Sequence, residues 1–202
     1  MISIYNLKSR FQDILRPLVA ALARRGVTAN QVTLAALVLS VMAGGCMAAL
    51  GHMSWPWLML PAVMFIRMAL NAVDGMLARE HGMKTQLGAL LNELADVLSD
   101  IALYLPFMFI AGAYGWLIAL AVALSVVCEM TGVIAVQIGA SRRYDGPMGK
   151  SDRAFVFGAA GLAAGLGFSA AAWLPWVAGA VVLLLIWTII NRARGALKEC
   201  HG

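Results

Sequence analysis

The chain has 202 residues, 62% of them hydrophobic and only 12% charged, with a mean hydropathy of +0.83. Soluble domains carry about 25% charged residues, and here the apolar residues are grouped in long runs, so the composition excludes an ordinary soluble domain and points to membrane helices. The net charge of +5 then reads as membrane topology, not nucleic-acid binding.

Residues 2–22 place Leu7, Phe11, Ile14, Leu15, Leu18, Val19 and Leu22 three or four positions apart, on one helical face, with basic residues on the other. This predicts an N-terminal amphipathic helix (residues 1–26) lying on the membrane or packed on the protein. Its charges, Lys8, Arg10, Asp13, Arg16, Arg24 and Arg25, interrupt any apolar core of a cleavable signal peptide. Thr28 or Asn30 is expected to cap the first span, about 32–50. A second span runs from about Trp57 to Leu77 and contains Arg67. A third helix is expected from Leu87 to Ala111, and a fourth from Trp116 to Ile138. The polar loop 139–152 leads to a fifth span from Arg153 to Phe168, whose glycines and alanines permit close helix contact, and a sixth spans Trp176 to Ile190. The expected fold is therefore all-α and integral to the membrane: one domain, 1–202, with six transmembrane helices.

All fifteen Lys and Arg residues except Arg67 fall before the first span, between spans two and three, between four and five, or after six. The connections 51–56, 112–115 and 169–175 carry none. The positive-inside rule therefore predicts that both termini and the loops around 78–86 and 139–153 are cytoplasmic. Cys46, Cys128 and Cys200 lie far apart and have no metal or disulfide spacing, while His52, His81 and His201 carry no motif. The methionines and tryptophans read as packing residues and interface anchors.

The stretch 71–96 breaks the apolar pattern. Asn71 and Asp74 are three apart on one helix face. Asn92, Asp96 and Asp100 repeat every four residues on the next helix, with Glu93 at the border of that face. A short turn around 82–84 makes the two helices antiparallel neighbours, so the oxygen-rich faces meet. Carboxylate and amide oxygens suit Mg²⁺ or Mn²⁺, and Arg79, one turn beyond Asp74, suits a phosphate. Spacing alone also fits a hairpin whose polar residues face water, or an ion or proton pathway.

The stretch resembles the signature of the CDP-alcohol phosphatidyltransferase family, D-x2-D-G-x2-A-R-x8-G-x3-D-x3-D. The corresponding residues are Asn71, Asp74, Gly75, Ala78, Arg79, Gly88, Asn92 and Asp96, with every spacing kept and both mismatches Asp to Asn. The segment TANQVT (28–33) is also similar to the family's approach to its first span. The resemblance implies transfer of a phosphatidyl group from CDP-diacylglycerol or a similar CDP-lipid to a polar alcohol, with release of CMP, in an inner-membrane homodimer. It implies divalent ions, Mg²⁺ or Mn²⁺, held among Asn71, Asp74, Asn92 and Asp96, with Asp96 as general base. Asp74, Gly75, Ala78, Arg79 and Gly88 would meet the nucleotide. Asn71 and Asn92 supply no charge, so one metal position is weakened unless Glu93 or Asp100 takes over. A silent family member that binds a CDP-lipid or acts as a scaffold is the alternative.

Two further features stand outside the signature. Arg67 precedes Asn71 by four residues, and its expected partner is Glu129, the acid of the fourth span; otherwise it lines the interior below the cluster. In the loop 141–153, Arg142, Arg143, Lys150 and Arg153 read either as positive-inside topology with lipid headgroup contact or as a pocket for an anionic acceptor. Ser151 or Asp152 is expected to cap the helix that follows.

Overall fold

The computed structural model describes the backbone of residues 4–201 and the side chains of 10–200. Leu7, Lys8 and His201 therefore lie outside the described side chains. Among the described residues seven α-helices follow one another: α1 Ile4–Arg24, α2 Ala29–Leu50, α3 Trp55–Glu80, α4 Gln86–Tyr104, α5 Gly115–Ile134, α6 Lys150–Gly165 and α7 Ala170–His201. No strand occurs among the described residues.

Local chemistry sets several boundaries. Thr28 opens α2 through a reciprocal capping box: its N–H donates to Gln31 Oε1 (2.9 Å), and the Gln31 N–H donates to Thr28 Oγ1 (3.3 Å). Thr85 opens α4 by accepting the Gly88 N–H at 2.9 Å. The turn between α3 and α4 passes through Gly82 at φ 67°, a conformation that glycine adopts without steric cost. The expected helix 87–111 instead ends at Tyr104 and tightens into a 3₁₀ segment, Leu105–Phe109. Pro106, which lacks an N–H and clashes with the preceding turn, accounts for the break. Helix α6 starts three residues earlier than expected, at Lys150. Gly149 is its cap residue, and Asp152 accepts the Gly149 N–H from the first turn, at 2.9 Å.

Among the described residues four helices are long and apolar enough to cross a membrane: Ala29–Leu50, Trp55–Glu80, Gly115–Ile138 (α5 with its 3₁₀ continuation) and Ala170–Cys200. The protein is thus an all-helical, multi-span membrane protein. Helix α4 carries Glu93, Asp96 and Asp100, and the sixteen residues of α6 extend about 24 Å at 1.5 Å per residue.

The chain forms two compact units, 1–42 with 62–99 and 43–61 with 100–202, so the division falls within α2, α3 and α4. In the first unit, Val19, Ala29, Val32, Val73, Met76 and Leu77 form the buried core. Only part of the apolar face of α1 joins it: Leu15 and Leu22 pack inward, while Ile14 is 74% exposed. In the second unit, Ala121, Cys128, Met148, Val181, Val182 and Leu185 pack together. Nearby, Tyr104 stacks on Phe157 at 4.1 Å, and Phe107 meets both Phe157 and Trp57 edge-on. Gly161 and Gly165 of α6 lie directly against Leu60 and Leu58 of α3, where a β-carbon would stand 2.6 and 2.8 Å from their atoms. That is the close helix approach small residues allow.

Candidate functional site

The first unit contains an open pocket of about 460 Å³. Helix α3 lines it with Asn71, Asp74, Gly75, Ala78 and Arg79, α4 with Gly88, Ala89 and Asn92, and the turn between them with Met83, Lys84 and Thr85. Helix α2 adds Ala29, Asn30 and Thr33. Seven of the eight signature positions thus line one cavity, and Asp96 adjoins it through Asn71.

The polar contacts order this site. Asp74 is buried, and Thr33 Oγ1 donates to its Oδ2 at 2.8 Å. Asn71 Nδ2 donates to Asp96 Oδ1 at 3.1 Å. The amide N–H₂ of Asn71 is thereby directed at the carboxylate, and its oxygen remains the acceptor end. Arg67, nearly fully buried, donates from Nη2 to the Asp96 carbonyl at 3.0 Å and lies 3.6 Å from Asp96 Oδ1. This corrects the expected Arg67–Glu129 pair. The antiparallel α3–α4 hairpin brings Arg67 opposite Asp96, and Glu129 is taken by other arginines.

Two glycines shape the walls. A β-carbon on Gly75 would stand 3.2 Å from Arg79 Nη2, so the missing side chain gives the guanidinium its seat. A β-carbon on Gly88 would stand 2.7 Å from Asn30 Oδ1 and 2.9 Å from Thr85 Oγ1. Gly88→Ala is therefore expected to displace Asn30 or loosen the α4 cap, raising the KM for a nucleotide-lipid donor more than it lowers kcat. Steady-state kinetics against donor concentration measures the split.

Thr33, Asn30 and Thr85 were not among the expected site residues. TANQVT marked the helix start, but nothing in it shows which polar side chains turn towards α3 and α4. Thr33→Val removes the hydrogen bond to buried Asp74. Bonds to charged groups contribute about 1.5–3 kcal/mol, so turnover should fall about tenfold or more, with recovery in Thr33→Ser, as initial rates would show.

Glu93 is half-buried and does not line the pocket. Asp100 belongs to the second unit, where Arg153 Nη2 donates to its Oδ2 at 3.0 Å. The same nitrogen donates to Glu129 Oε1, also at 3.0 Å, and Arg153 is fully buried. Arg142 and Arg192 approach Glu129 at 3.8 and 3.5 Å. Arg192, at the end of the sixth expected span, was read only as part of a basic tail. It donates from Nη1 to the Cys128 carbonyl at 2.6 Å. Arg143 donates to both Asp145 oxygens and to Glu199 Oε2. Its hydrogen bonds hold the Asp145 carboxyl below the usual carboxylate range, so Asp145 is ionised at neutral pH. Lys150, half-buried at the first position of α6, also has a bonding partner.

Among the described residues no three His, Cys, Asp or Glu side chains cluster closely enough to hold a metal ion. A hard cation at the pocket would therefore need the amide oxygens of Asn71 and Asn92 beside the Asp74 and Asp96 carboxylates. That all-oxygen donor set fits Mg²⁺ or Mn²⁺ and does not favour zinc.

The pattern of CDP-alcohol phosphatidyltransferases matches residues 26–191. The chain belongs to the CDP-alcohol phosphatidyltransferase family. This family moves a phosphatidyl group from a CDP-lipid to an alcohol in phospholipid synthesis. The chain is 46% identical over 198 residues to inner membrane protein YnbA of Escherichia coli K12, covering 96% of each. It is 30% identical over 139 residues to the phosphatidylinositol phosphate synthase of Mycobacteroides abscessus, covering 69% of this chain and 61% of the relative. The fold is similar to that of Mycobacterium tuberculosis phosphatidylinositol phosphate synthase PgsA1. Its structure with manganese and citrate gives a TM-score of 0.76 at 20% identity, covering 91% of this chain and 88% of that one. Its structure with CDP-DAG bound gives 0.73 at 21% identity, covering 93% and 94%.

Proposed function

We propose that this family member is an active inner-membrane enzyme that transfers the phosphatidyl group of CDP-diacylglycerol, or a similar CDP-lipid, to a polar alcohol. The observation that carries this reading is the single pocket lined by Asn71, Asp74, Gly75, Ala78, Arg79, Gly88 and Asn92. Gly75, Ala78 and Gly88 let a nucleotide approach the backbone, and Arg79 meets its phosphates. The acceptor oxygen bonds to the phosphorus that carries the diacylglycerol, the bond from that phosphorus to the bridging oxygen breaks, and CMP leaves with that oxygen. The acceptor's hydroxyl proton passes to Asp96. Arg67 and Asn71 hold the Asp96 carboxylate in place.

Asp74 and Asp96, with the amide oxygens of Asn71 and Asn92, would hold Mg²⁺ or Mn²⁺, as the family resemblance and the manganese in the PgsA1 structure suggest. The ion supplies charge neutralisation at the phosphate oxygens. With only two carboxylates, we read this as a one-ion site. Glu93 and Asp100 are not needed as replacements, since Asp100 already serves Arg153.

The charge pattern supports a cytoplasmic active site and cytoplasmic termini. The six-span count follows if α4 with its 3₁₀ continuation and α6 also cross the bilayer, with α1 lying at the interface. A single domain and a homodimer complete the reading, and Arg142, Arg143, Lys150 and Arg153 frame the acceptor region.

Purified protein given CDP-diacylglycerol, Mn²⁺ and a set of alcohols should release CMP, and excess EDTA should stop the release. CMP release that persists undiminished in EDTA would remove the metal from this account.

A further inference from the structure

The loop between α5 and α6 gave the sequence its signal for an anionic acceptor, and the charges in the second unit point the other way. Arg153 is fully buried between Asp100 and Glu129, both at 3.0 Å. Arg192 and Arg142 lie 3.5 and 3.8 Å from Glu129. Arg143 bonds Asp145 and Glu199, each at 2.7 Å. Four guanidiniums are thus set against four carboxylates.

The loop backbone that carries Arg142 and Arg143 is held as well. The Arg143 N–H donates to the Gly132 carbonyl at 3.2 Å. Its guanidinium lies over Gly195, where a β-carbon would come within 2.7 Å. The Met148 N–H donates to Thr188 Oγ1 at 3.0 Å, and Arg192 Nε donates to the Asp145 carbonyl at 3.4 Å. The loop is fastened to α5 and α7 along its length.

An acceptor phosphate would have to draw a guanidinium away from its carboxylate. Drawing off Arg143 would leave Asp145 and Glu199 facing the incoming anion, and drawing off Arg142 or Arg192 would thin the positive charge that offsets Glu129, a cost in either case. An alcohol without a phosphate meets no such penalty, because its hydroxyls can donate to these carboxylates and to the peptide oxygens of the loop.

We propose that the acceptor is a polar alcohol without net negative charge, and that Glu129 and Asp145 are the specificity residues that exclude phosphate esters. This rests on the phosphatidyl-transfer reading and on acceptor recognition by this loop.

The test is CMP release from CDP-diacylglycerol by the purified full chain with Mn²⁺, using matched acceptors: glycerol and glycerol 3-phosphate, inositol and inositol phosphate, serine and phosphoserine. The expected result is a kcat/KM at least about tenfold higher for an uncharged or zwitterionic alcohol than for its phosphate ester. Asp145→Asn should narrow that ratio without new contacts elsewhere. A phosphate ester used as well as, or better than, its parent alcohol would overturn the proposal while leaving phosphatidyl transfer intact. No CMP with any acceptor would instead overturn phosphatidyl transfer, and this proposal with it.

Discussion

Asp96→Asn should lower kcat for CMP release by a factor of about 10²–10⁴, the range over which a positioned general base accelerates proton transfer. The substitution is nearly isosteric, so the change acts on the proton and the charge more than on shape. Asn71 already donates its N–H₂ to Asp96 Oδ1, and an amide placed there offers no site for the acceptor's proton. Arg67, almost fully buried, would also lose the carboxylate 3.6 Å away while its bond to the backbone carbonyl remains. Some loss of thermal stability is therefore expected alongside the loss of turnover. Measuring CDP-lipid binding separately divides the two effects: affinity, which reports the lost metal ligand, should change less than kcat, which reports the lost base as well. Unchanged turnover in Asp96→Asn would remove it from the role of base.

Arg153→Met should destabilise the protein by about 3–5 kcal/mol, the range for breaking a buried ion pair by removing one partner. Arg153 has no exposed surface, and its departure takes a hydrogen-bonding counter-charge from both Asp100 and Glu129. Methionine fills part of the volume but supplies no hydrogen bond to either carboxylate, and Glu129 is left to the longer contacts with Arg192 and Arg142 at 3.5 and 3.8 Å. The melting temperature in detergent, followed through the six tryptophans, should fall well below that of the parent protein. Adding Glu129→Gln to Arg153→Met should recover part of the loss, since it removes one of the two carboxylates that have lost Arg153. A melting temperature unaffected by Arg153→Met would show that the network contributes little to the fold.

The donor pocket was legible in the sequence because its residues lie on two adjacent helices joined by a short turn. Spacing of three and four along 71–96 suffices to put Asn71, Asp74, Asn92 and Asp96 on facing sides. Contacts that depend on depth across the bundle were not legible. Arg67 could reach an acid on α4 or α5, and only the vertical register of the hairpin selects Asp96 over Glu129. Arg192 looked like tail charge because the apolar run ends before it, yet α7 continues to His201 and carries it inward. The loop arginines looked available because a sequence shows cations but not the carboxylates folded against them. The break at Pro106 was readable in principle, but the apolar run around it outweighed one proline.

The central claim is that the Asn-substituted signature still performs phosphatidyl transfer. Lipid mass spectrometry of purified protein incubated with CDP-diacylglycerol, Mn²⁺ and the alcohol panel tests it most directly. The account predicts a new lipid whose mass equals phosphatidic acid plus one acceptor minus water, formed in equal amount to CMP and absent with Asp96→Asn. CDP-diacylglycerol recovered intact with every acceptor, from protein that is folded and binds it, would contradict the account.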